Sequence, residues 1–240
     1  MDVAEFDRVA DHYEEQHRAN IAITGERPEY FAEYKIRVLY DLIQGHAPTT
    51  NHILDFGAGI GNSIPYFRQY LPQASVVCAD VSRRSLEIMA SRFGPDLATI
   101  VIEQNQIPAG DASFDAVFSA CVFHHILHRE HTHWLGELAR ITRPGGLLVV
   151  FEHNPLNPLT VHAVNTCPFD ENAHLISARQ LARRFRAAGW AEPRIRYHLF
   201  FPHALAALRP LEPFLSVAFW RTIFGPRYQT TLMCSRYVFC

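Results

Sequence analysis

The amino-acid sequence predicts an α/β fold: a doubly wound sheet of seven strands, mostly parallel, with an antiparallel last strand and helices on both faces. Two observations favour it. From residue 53 onward, short apolar runs alternate with amphipathic stretches of helical period, the pattern of consecutive βαβ units. The first of these runs also leads directly into a glycine-rich turn that precedes a helix.

Composition and charge limit the classes of protein that fit. The 240 residues are 48% hydrophobic with a formal net charge of −2, which excludes a disordered chain and argues against a nucleic-acid partner. No apolar run is long enough for a membrane span, and residues 1–5 do not resemble a signal peptide. The five cysteines are scattered, as expected of reduced thiols. We therefore expect a cytoplasmic protein with no integral membrane contact.

Lysine is almost absent from the chain. Among 22 lysine and arginine residues, Lys35 is the single lysine. The glycine-rich turn therefore has no Walker lysine beside it, and the chain has no Tyr-x-x-x-Lys pair of the dehydrogenase type. A Schiff-base mechanism would depend on Lys35 alone.

The first 45 residues predict two helices that would cover the sheet. Apolar residues of the first share one face at helical spacing: Phe6, Val9, Ala10 and Tyr13. The second repeats that spacing between Pro28, near its start, and Gly45 at its end.

Five strands and three helices are then predicted up to residue 151. The strands are the short apolar runs Ile53–Phe56, Ser75–Ala79, Ala98–Ile102, Phe114–Ala120 and Leu147–Phe151. The helices are the amphipathic stretches Asn62–Tyr70, Ser82–Arg92 and Arg129–Thr142. A turn at Pro144-Gly145-Gly146 introduces the fifth strand.

The C-terminal part begins with a Pro- and Asn-rich loop at 154–172. The helix Ser177–Ala188 follows, with Ser177 as a candidate N-cap. The last two strands are predicted at Ile195–Phe201 and Tyr228–Phe239.

Between these strands, residues 202–227 form an apolar insertion with four candidate roles: core helix, lid, dimer contact or membrane-surface patch. We expect residues 1–240 to form a single domain with an N-terminal helical cap (1–45) and a cofactor-binding core (50–152).

A ligand site is expected where the parallel strands end, because open α/β sheets bind ligands at their carboxyl edge. Asp55 stands just ahead of the glycine-rich turn Gly57–Gly61, and Asp80 ends the next strand, placed to accept both hydroxyls of a ribose. The carboxylate of Asp55 would repel a pyrophosphate, so the pattern favours a cationic nucleoside such as S-adenosylmethionine over a dinucleotide. Glu103, after the third strand, is a candidate partner for the adenine amino group.

Four segments in the same order resemble successive motifs of the class I S-adenosylmethionine-dependent methyltransferases. They are Ile53–Gly61, Val76–Ser82, Phe114–Ser119 and Leu138–Leu147, with a looser similarity at Phe6–Tyr13. Within that superfamily the chain resembles the small-molecule group typified by quinone-biosynthesis methyltransferases (types 11 and 12). The resemblance implies a Rossmann-like fold and S-adenosyl-L-methionine as cofactor.

The resemblance also implies a set of cofactor-binding positions. Around the methionine end and ribose it implies Tyr13, Asp55, Gly57, Ala58, Gly59, Gly61, Asp80, Ser119 and Ala120. Around the adenine it implies Val81, with Glu103 or Gln104 at the position where this group usually carries an aspartate.

Histidines cluster between residues 124 and 133, and the topology places some of them at the mouth of the site. We predict His124, His125 and His153 as candidates for a general base, because an unperturbed histidine titrates near neutral pH. If the segment were helical, His124, His128 and His131 would share one face. No cysteine or carboxylate stands at ligand spacing beside them, so the sequence predicts no metal.

The sequence therefore predicts transfer of a methyl group from S-adenosyl-L-methionine to a small, partly apolar molecule. Oxygen is favoured as the acceptor atom, with carbon or nitrogen as alternatives, and a homodimer is possible. Three other functions stay open: a nicotinamide-dependent oxidoreductase, a catalytically silent partner subunit that keeps the cofactor fold, and non-methylating use of the same sulfonium.

Overall fold

The computed structural model describes residues 7, 10, 18–19, 25–47, 49–167, 170–198, 203–211 and 229–235, the last range by its backbone. The helices in these ranges are α1 (Pro28–His46), α2 (Ile64–Tyr70), α3 (Arg83–Phe93), α4 (His131–Ile141), α5 (Pro158–Thr166) and α6 (Ala178–Ala187). The strands are β1 (His52–Phe56), β2 (Ser75–Asp80), β3 (Ala98–Val101), β4 (Phe114–Ala120), β5 (Thr142–His153), β6 (Arg194–His198) and β7 (Gln229–Ser235).

The sheet has the order β3-β2-β1-β4-β5-β7-β6. The pairs from β3 to β5 are all parallel, whereas β7 lies antiparallel between β5 and β6. The order of the strands reverses between β1 and β4, which makes their carboxyl ends the expected ligand-binding edge. The predicted Rossmann-like fold with a mostly parallel sheet is confirmed.

Apolar side chains cover both faces of the sheet. On one face Leu148 and Val150 pack with residues of α4 and α6. On the other face Val149 and Phe151 pack with residues of α1 and α2. A strand buried on both sides reads as a continuous apolar run, which is why β5 and β4 were recognisable from the sequence.

Side-chain hydrogen bonds at two places fix the elements that carry the site. Asp115 in β4 accepts hydrogen bonds from the backbone N–H groups of Asn51 and His52 (2.6 and 3.0 Å) and pairs with Arg143 (2.8 Å), so it fixes the start of β1. Ser82 caps α3 by accepting from the N–H of Ser85 at 3.0 Å. These bonds keep β1 and α3 in place beneath the glycine-rich turn.

Two expectations about elements need correction. The fifth strand begins at Thr142, directly after α4, because Pro144-Gly145-Gly146 forms a bulge in the strand instead of a separate turn, and the register with β4 shifts there. The predicted loop at 154–172 contains the helix α5. Pro158 is its first residue, and the Asn157 side chain accepts from the Thr160 N–H at 3.4 Å. Proline and asparagine are common at the start of a helix as well as in loops, so this segment was predicted as a loop.

The predicted helix Ser177–Ala188 is confirmed as α6, and Ser177 and Gln180 form a capping box at its start. In the insertion 202–227 the described part, His203–Leu211, is a kinked 3₁₀ segment with exposed leucines, and its remainder lies outside the described residues. Most of the first predicted N-terminal helix also lies outside them. None of the helices that the structure describes combines the length and hydropathy needed to span a bilayer.

Candidate active site

The glycine-rich turn after β1 forms the first wall of the site. The N–H groups of Gly57 and Ala58 donate to the carbonyl oxygen of Ala79 at 2.8 and 3.1 Å, which ties the turn to the end of β2. Gly57, Gly59 and Gly61 all have positive φ (78°, 54° and 81°), a conformation that favours glycine. A Cβ on Gly59 would meet no atom of the described structure within 4 Å, so a ligand can approach the backbone there.

Asp80 lies at the end of β2 and faces this turn. Its carboxylate accepts from the N–H of Gly59 and from the N–H of Ser82, both at 2.8 Å, and it is buried. Burial raises the pKa of Asp80 above its usual value, and the backbone N–H donors offset only part of this rise. Each carboxylate oxygen keeps lone pairs for further donors, so the geometry suits the predicted contact with two ribose hydroxyls.

Asp55 is the most conspicuous group at this edge. It is 2% exposed, and its Oδ2 atom has no hydrogen-bond partner among the residues that the structure describes. Burial and the neighbouring charge of Asp80 raise the pKa of Asp55 to about 7, although Lys35 opposes the shift. A buried carboxyl of this kind is stabilised in its charged form by a cationic ligand, such as the ammonium group of an amino acid.

The end of β4 brings a thiol and the chain's single lysine into the site. Lys35 Nζ, on α1, lies 3.4 Å from Cys121 Sγ. Although burial disfavours the thiolate, Lys35 and His153 lower the pKa of Cys121 to about 6. Cys121 has φ 61°, which costs a non-glycine residue about 1 kcal/mol or more. Ser119, two residues before Cys121, is fully buried, and its Oγ has no hydrogen-bond partner within the described ranges.

The remaining predicted cofactor positions differ in how deeply they are buried. Ala120 and Val81 are partly buried beside the core. Glu103 lies at the surface, where it pairs with Arg83 at 3.1 Å, and Gln104 has φ 52° in the adjoining turn. Tyr13 lies outside the described residues, and the roles of all these positions stay predictions.

A hydrogen-bonded group links the ends of β4 and β5. Glu152 Oε1 accepts from the N–H groups of Val122 and Phe123 (3.0 and 2.7 Å), and Glu152 Oε2 lies 2.8 Å from His124 Nδ1. On the opposite side, His124 Nε2 lies 3.5 Å from Asp170 Oδ1. Burial would lower the pKa of His124, but Glu152 and Asp170 outweigh it and raise that pKa to about 10. With a proton on each nitrogen, His124 cannot accept another one.

The other two predicted bases lie next to it. The rings of His125 and His153 are centred 4.2 and 4.9 Å from that of His124. Burial and the charge of His124 lower the pKa of His125 to about 3, so its ring is neutral. Its Nε2 lies 3.4 Å from Asp170 Oδ1. The structure thus brings His124, His125 and His153 together at the ends of β4 and β5.

The shared face that a continuous helix would give to His124, His128 and His131 is not formed. A 3₁₀ turn at Phe123–His125 is separated from α4, because the helix begins only at His131. His128 and His131 bond instead to the carbonyl oxygens of His174 and Ile126 (3.0 and 2.8 Å). They support the loops around the site and do not face it.

Sequence reasoning missed Cys121 and two residues that come from more distant parts of the chain. Lys35 was recognised as the single lysine, but nothing in its spacing indicated that α1 carries it to the end of β4. Asp170 comes from the loop after α5, which the sequence represented as irregular. Both reach the site through long-range packing, and no local pattern reports such contacts.

Comparisons with known proteins agree with this geometry. A family described as "Methyltransferase domain" matches residues 53–146. The demethylmenaquinone methyltransferase of Mycolicibacterium gilvum is 32% identical over 167 residues, 60% of this chain and 70% of that protein. The "Ubiquinone/menaquinone biosynthesis C-methyltransferase UbiE" of Hahella chejuensis is 27% identical over 124 residues, 49% of each chain. This chain spans about half the length of several such curated relatives.

Solved structures show the same fold. A SAM-dependent methyltransferase of Thermotoga maritima, described as a possible histamine N-methyltransferase, superposes with a TM-score of 0.64. The match covers 97% of this chain and 99% of that one at 17% identity. At this level of identity the similarity concerns the fold alone.

Proposed function

Because the chain belongs to the class I S-adenosylmethionine-dependent methyltransferases, we propose that it methylates a hydroxyl oxygen of a small, partly apolar acceptor. S-adenosyl-L-methionine is the cofactor of this family. The observation that carries the cofactor assignment is Asp55 Oδ2 beside the turn Gly57–Gly61, a buried atom with no hydrogen-bond partner among the described residues. A phosphorylated cofactor would place negative charge against this carboxyl, whereas an ammonium group would neutralise it.

The chain's residues divide the binding of the cofactor between them. Asp55 would accept from the ammonium group, and Asp80 from the ribose hydroxyls. The open side of Gly59 would let the ligand approach the backbone. Bound there, the sulfonium supplies an electrophilic methyl carbon, so the protein's task is to align an acceptor and exclude water.

The acceptor side lies beyond Cys121 and His153, at the ends of β4 and β5. A hydroxyl acceptor must lose its proton, and His153 is the candidate base at this edge. His124 is charged, and His125 is too weak a base with its pKa of about 3. His153 hydrogen-bonds the Cys121 side chain, and its ring centre lies 4.9 Å from that of His124.

A ring carbon is the second candidate acceptor atom. One similar protein is named a C-methyltransferase of ubiquinone and menaquinone biosynthesis. A hydroxylated ring that has lost its proton shares its negative charge between oxygen and the neighbouring carbon. The same base would therefore serve both outcomes, and the geometry of the bound acceptor would choose between them.

Calorimetry with S-adenosylhomocysteine tests the cofactor assignment directly. We expect binding to the wild-type protein, at least tenfold weaker binding to Asp80→Ala, and unchanged binding to the exposed control Asp96→Ala. Tenfold corresponds to about 1.4 kcal/mol. Binding of NADH in place of S-adenosylhomocysteine would overturn the proposal in favour of the oxidoreductase.

Turnover is tested with methyl-labelled cofactor and a panel of hydroquinones, phenols and amines. Label in an ether supports the oxygen acceptor, and label on a ring carbon supports the second candidate. Tight cofactor binding without product on any acceptor would indicate the silent partner subunit. Replacing His153 by Gln should lower kcat and shift its pH profile while leaving the affinity for S-adenosylhomocysteine within about twofold.

A further inference from the structure

Three potential metal ligands converge at the acceptor side of the site. One nitrogen of His124, one nitrogen of His125 and one oxygen of Asp170 all lie within 4.8 Å of one another. His124 and Asp170 are almost fully buried, and the side chain of His125 is 10% exposed. The two histidines come from the turn after β4 and Asp170 from the loop after α5, so the group exists only in the folded chain.

The distances within this group match those between two ligands of one metal ion. Asp170 Oδ1 lies 3.5 Å from His124 Nε2 and 3.4 Å from His125 Nε2. An N–H···O bond is usually 2.7–3.2 Å long, so both separations are too wide for a good one. Two ligands bound about 2.0–2.1 Å from a tetrahedral zinc ion lie roughly 3.3–3.4 Å apart.

A further carboxylate orients the first histidine from behind. Glu152 Oε2 lies 2.8 Å from His124 Nδ1 and is held on its other oxygen by two backbone N–H groups. In this arrangement His124 donates from Nδ1 to Glu152. An ion bound beside Asp170 would take the place of the proton on Nε2, which would leave the ring as a neutral ligand. Metal-binding histidines characteristically carry such a carboxylate partner on the distal nitrogen.

Backbone hydrogen bonds tie the residues after Asp170 to the site, and Asp170 borders an open space. The His174 N–H donates to the carbonyl oxygen of His124 at 2.6 Å, and the Ala173 N–H to that of Asp170 at 2.9 Å. Asp170 also lines a cavity of about 430 Å³, together with Val164, Asn165, Glu171, Ala173 and Leu175. That volume lies within the usual range for a small-molecule site.

We propose that His124, His125 and Asp170 bind one divalent transition-metal ion of the zinc class, with Glu152 orienting His124. Two imidazoles and one carboxylate suit such an ion better than magnesium or calcium, which prefer all-oxygen sites. Three protein ligands leave one position for a water molecule or an acceptor hydroxyl, whose proton the ion would make easier to remove. This role rests on the proposed methyl transfer, whereas the metal site itself does not.

The experiment uses untagged, chelator-treated full-length protein titrated with Zn²⁺ by calorimetry and with Co²⁺ by visible absorption. We expect one equivalent of each ion to bind, with the intense d–d bands of low-symmetry Co²⁺. Asp170→Asn and His125→Gln should each weaken binding at least tenfold. His133→Gln, an exposed histidine of α4 outside the group, should bind like the wild type.

Two outcomes would overturn the metal site: no stoichiometric binding to the wild type, or Asp170→Asn and His125→Gln variants that bind like it. Thermal unfolding and S-adenosylhomocysteine affinity are measured on the same samples to show that the variants are folded. Metal binding without S-adenosylhomocysteine binding would refute the proposed function and leave the site standing. The reverse result would refute only the metal.

Discussion

The two sides of the carboxyl edge are built in different ways. The glycine side, Asp55–Gly61 with Asp80, comes from two adjacent strands, and backbone N–H groups of its turn donate to the Ala79 carbonyl oxygen and the Asp80 carboxylate. The histidine side, His124, His125, Glu152, His153 and Asp170, is joined by side chains from three separate segments. The conformation of the glycine side is determined by the local sequence. The histidine side depends on buried charged groups that come together only in the complete fold. Their responses to substitution should differ accordingly.

The largest expected effect is on the histidine side. Replacing Glu152 by Ala removes the acceptor for two backbone N–H groups and leaves charged His124 without its closest counter-ion. Breaking a buried pair in this way costs about 3–5 kcal/mol of unfolding free energy. Urea denaturation measures it, with Glu152→Gln as the matched control, which keeps an oxygen for the two N–H groups and should lose less. A loss below about 1 kcal/mol for Glu152→Ala would show that this side is not held by charge.

The next effect concerns Asp55 and depends on pH. A carboxyl whose pKa rises from 3.8 to about 7 on folding binds its proton more tightly in the folded chain. Its contribution to stability is therefore complete below pH 3.8 and is lost as the pH rises through about 7, by up to about 4 kcal/mol.

We expect Asp55→Asn to remove this pH dependence, so that the variant is more stable than the wild type at pH 8 but not at pH 4. Its affinity for S-adenosylhomocysteine should fall at least tenfold at pH 8. Denaturation curves at the two pH values and calorimetry provide the measurements. A wild-type and variant pair with parallel pH profiles would contradict the shifted pKa.

A pair of glycine substitutions sharpens the comparison within the glycine side. A Cβ on Gly57 would lie 2.3 Å from Val122 Cγ2, whereas one on Gly59 would meet nothing within 4 Å of the described atoms. Both residues have positive φ, so each alanine costs about 1 kcal/mol, and Gly57→Ala adds roughly 1–3 kcal/mol for the clash.

Gly59→Ala should therefore lose little stability and most of its affinity for S-adenosylhomocysteine. Gly57→Ala should lose both. Thermal unfolding and calorimetry on the two variants separate the effects. If Gly59→Ala binds the ligand like the wild type, the open space beside it is not where the ligand lies.

The smallest expected effect is on the rate at which the Cys121 thiol is alkylated. Because the pKa of Cys121 is about 6, its thiolate predominates at pH 7 and should react readily with iodoacetamide. Lys35→Met should slow alkylation about tenfold at pH 7, and Lys35→Arg should restore much of the rate. Mass spectrometry follows the reaction, and Cys121→Ala identifies the modified site. Equal rates for the wild type and Lys35→Met would show that the lysine does not stabilise the thiolate.

The backbone of the glycine side could be predicted from the sequence because its signals are local. The glycines at 57, 59 and 61 indicate a turn with positive φ, which the structure has. The predicted ends of two strands indicate where Asp55 and Asp80 lie. The histidine side was predicted only as a list of candidates. Whether His124 can act as a base depends on its contacts with Glu152 and Asp170. No spacing along the chain reveals that Asp170 lies next to His124 in the fold. The helix α5 was missed for a related reason, since Pro158 and Asn157 are start signals that composition alone presents as loop.

The position of β7 has a consequence for synthesis on the ribosome. The chain makes β6 before β7, yet among the described strands β6 bonds only to β7, which lies between it and β5. Until residues 229–235 emerge, one edge of β5 offers unpaired backbone groups to any neighbouring strand. A nascent or truncated chain lacking them is therefore expected to aggregate during translation, with the glycine turn already formed and the sheet incomplete.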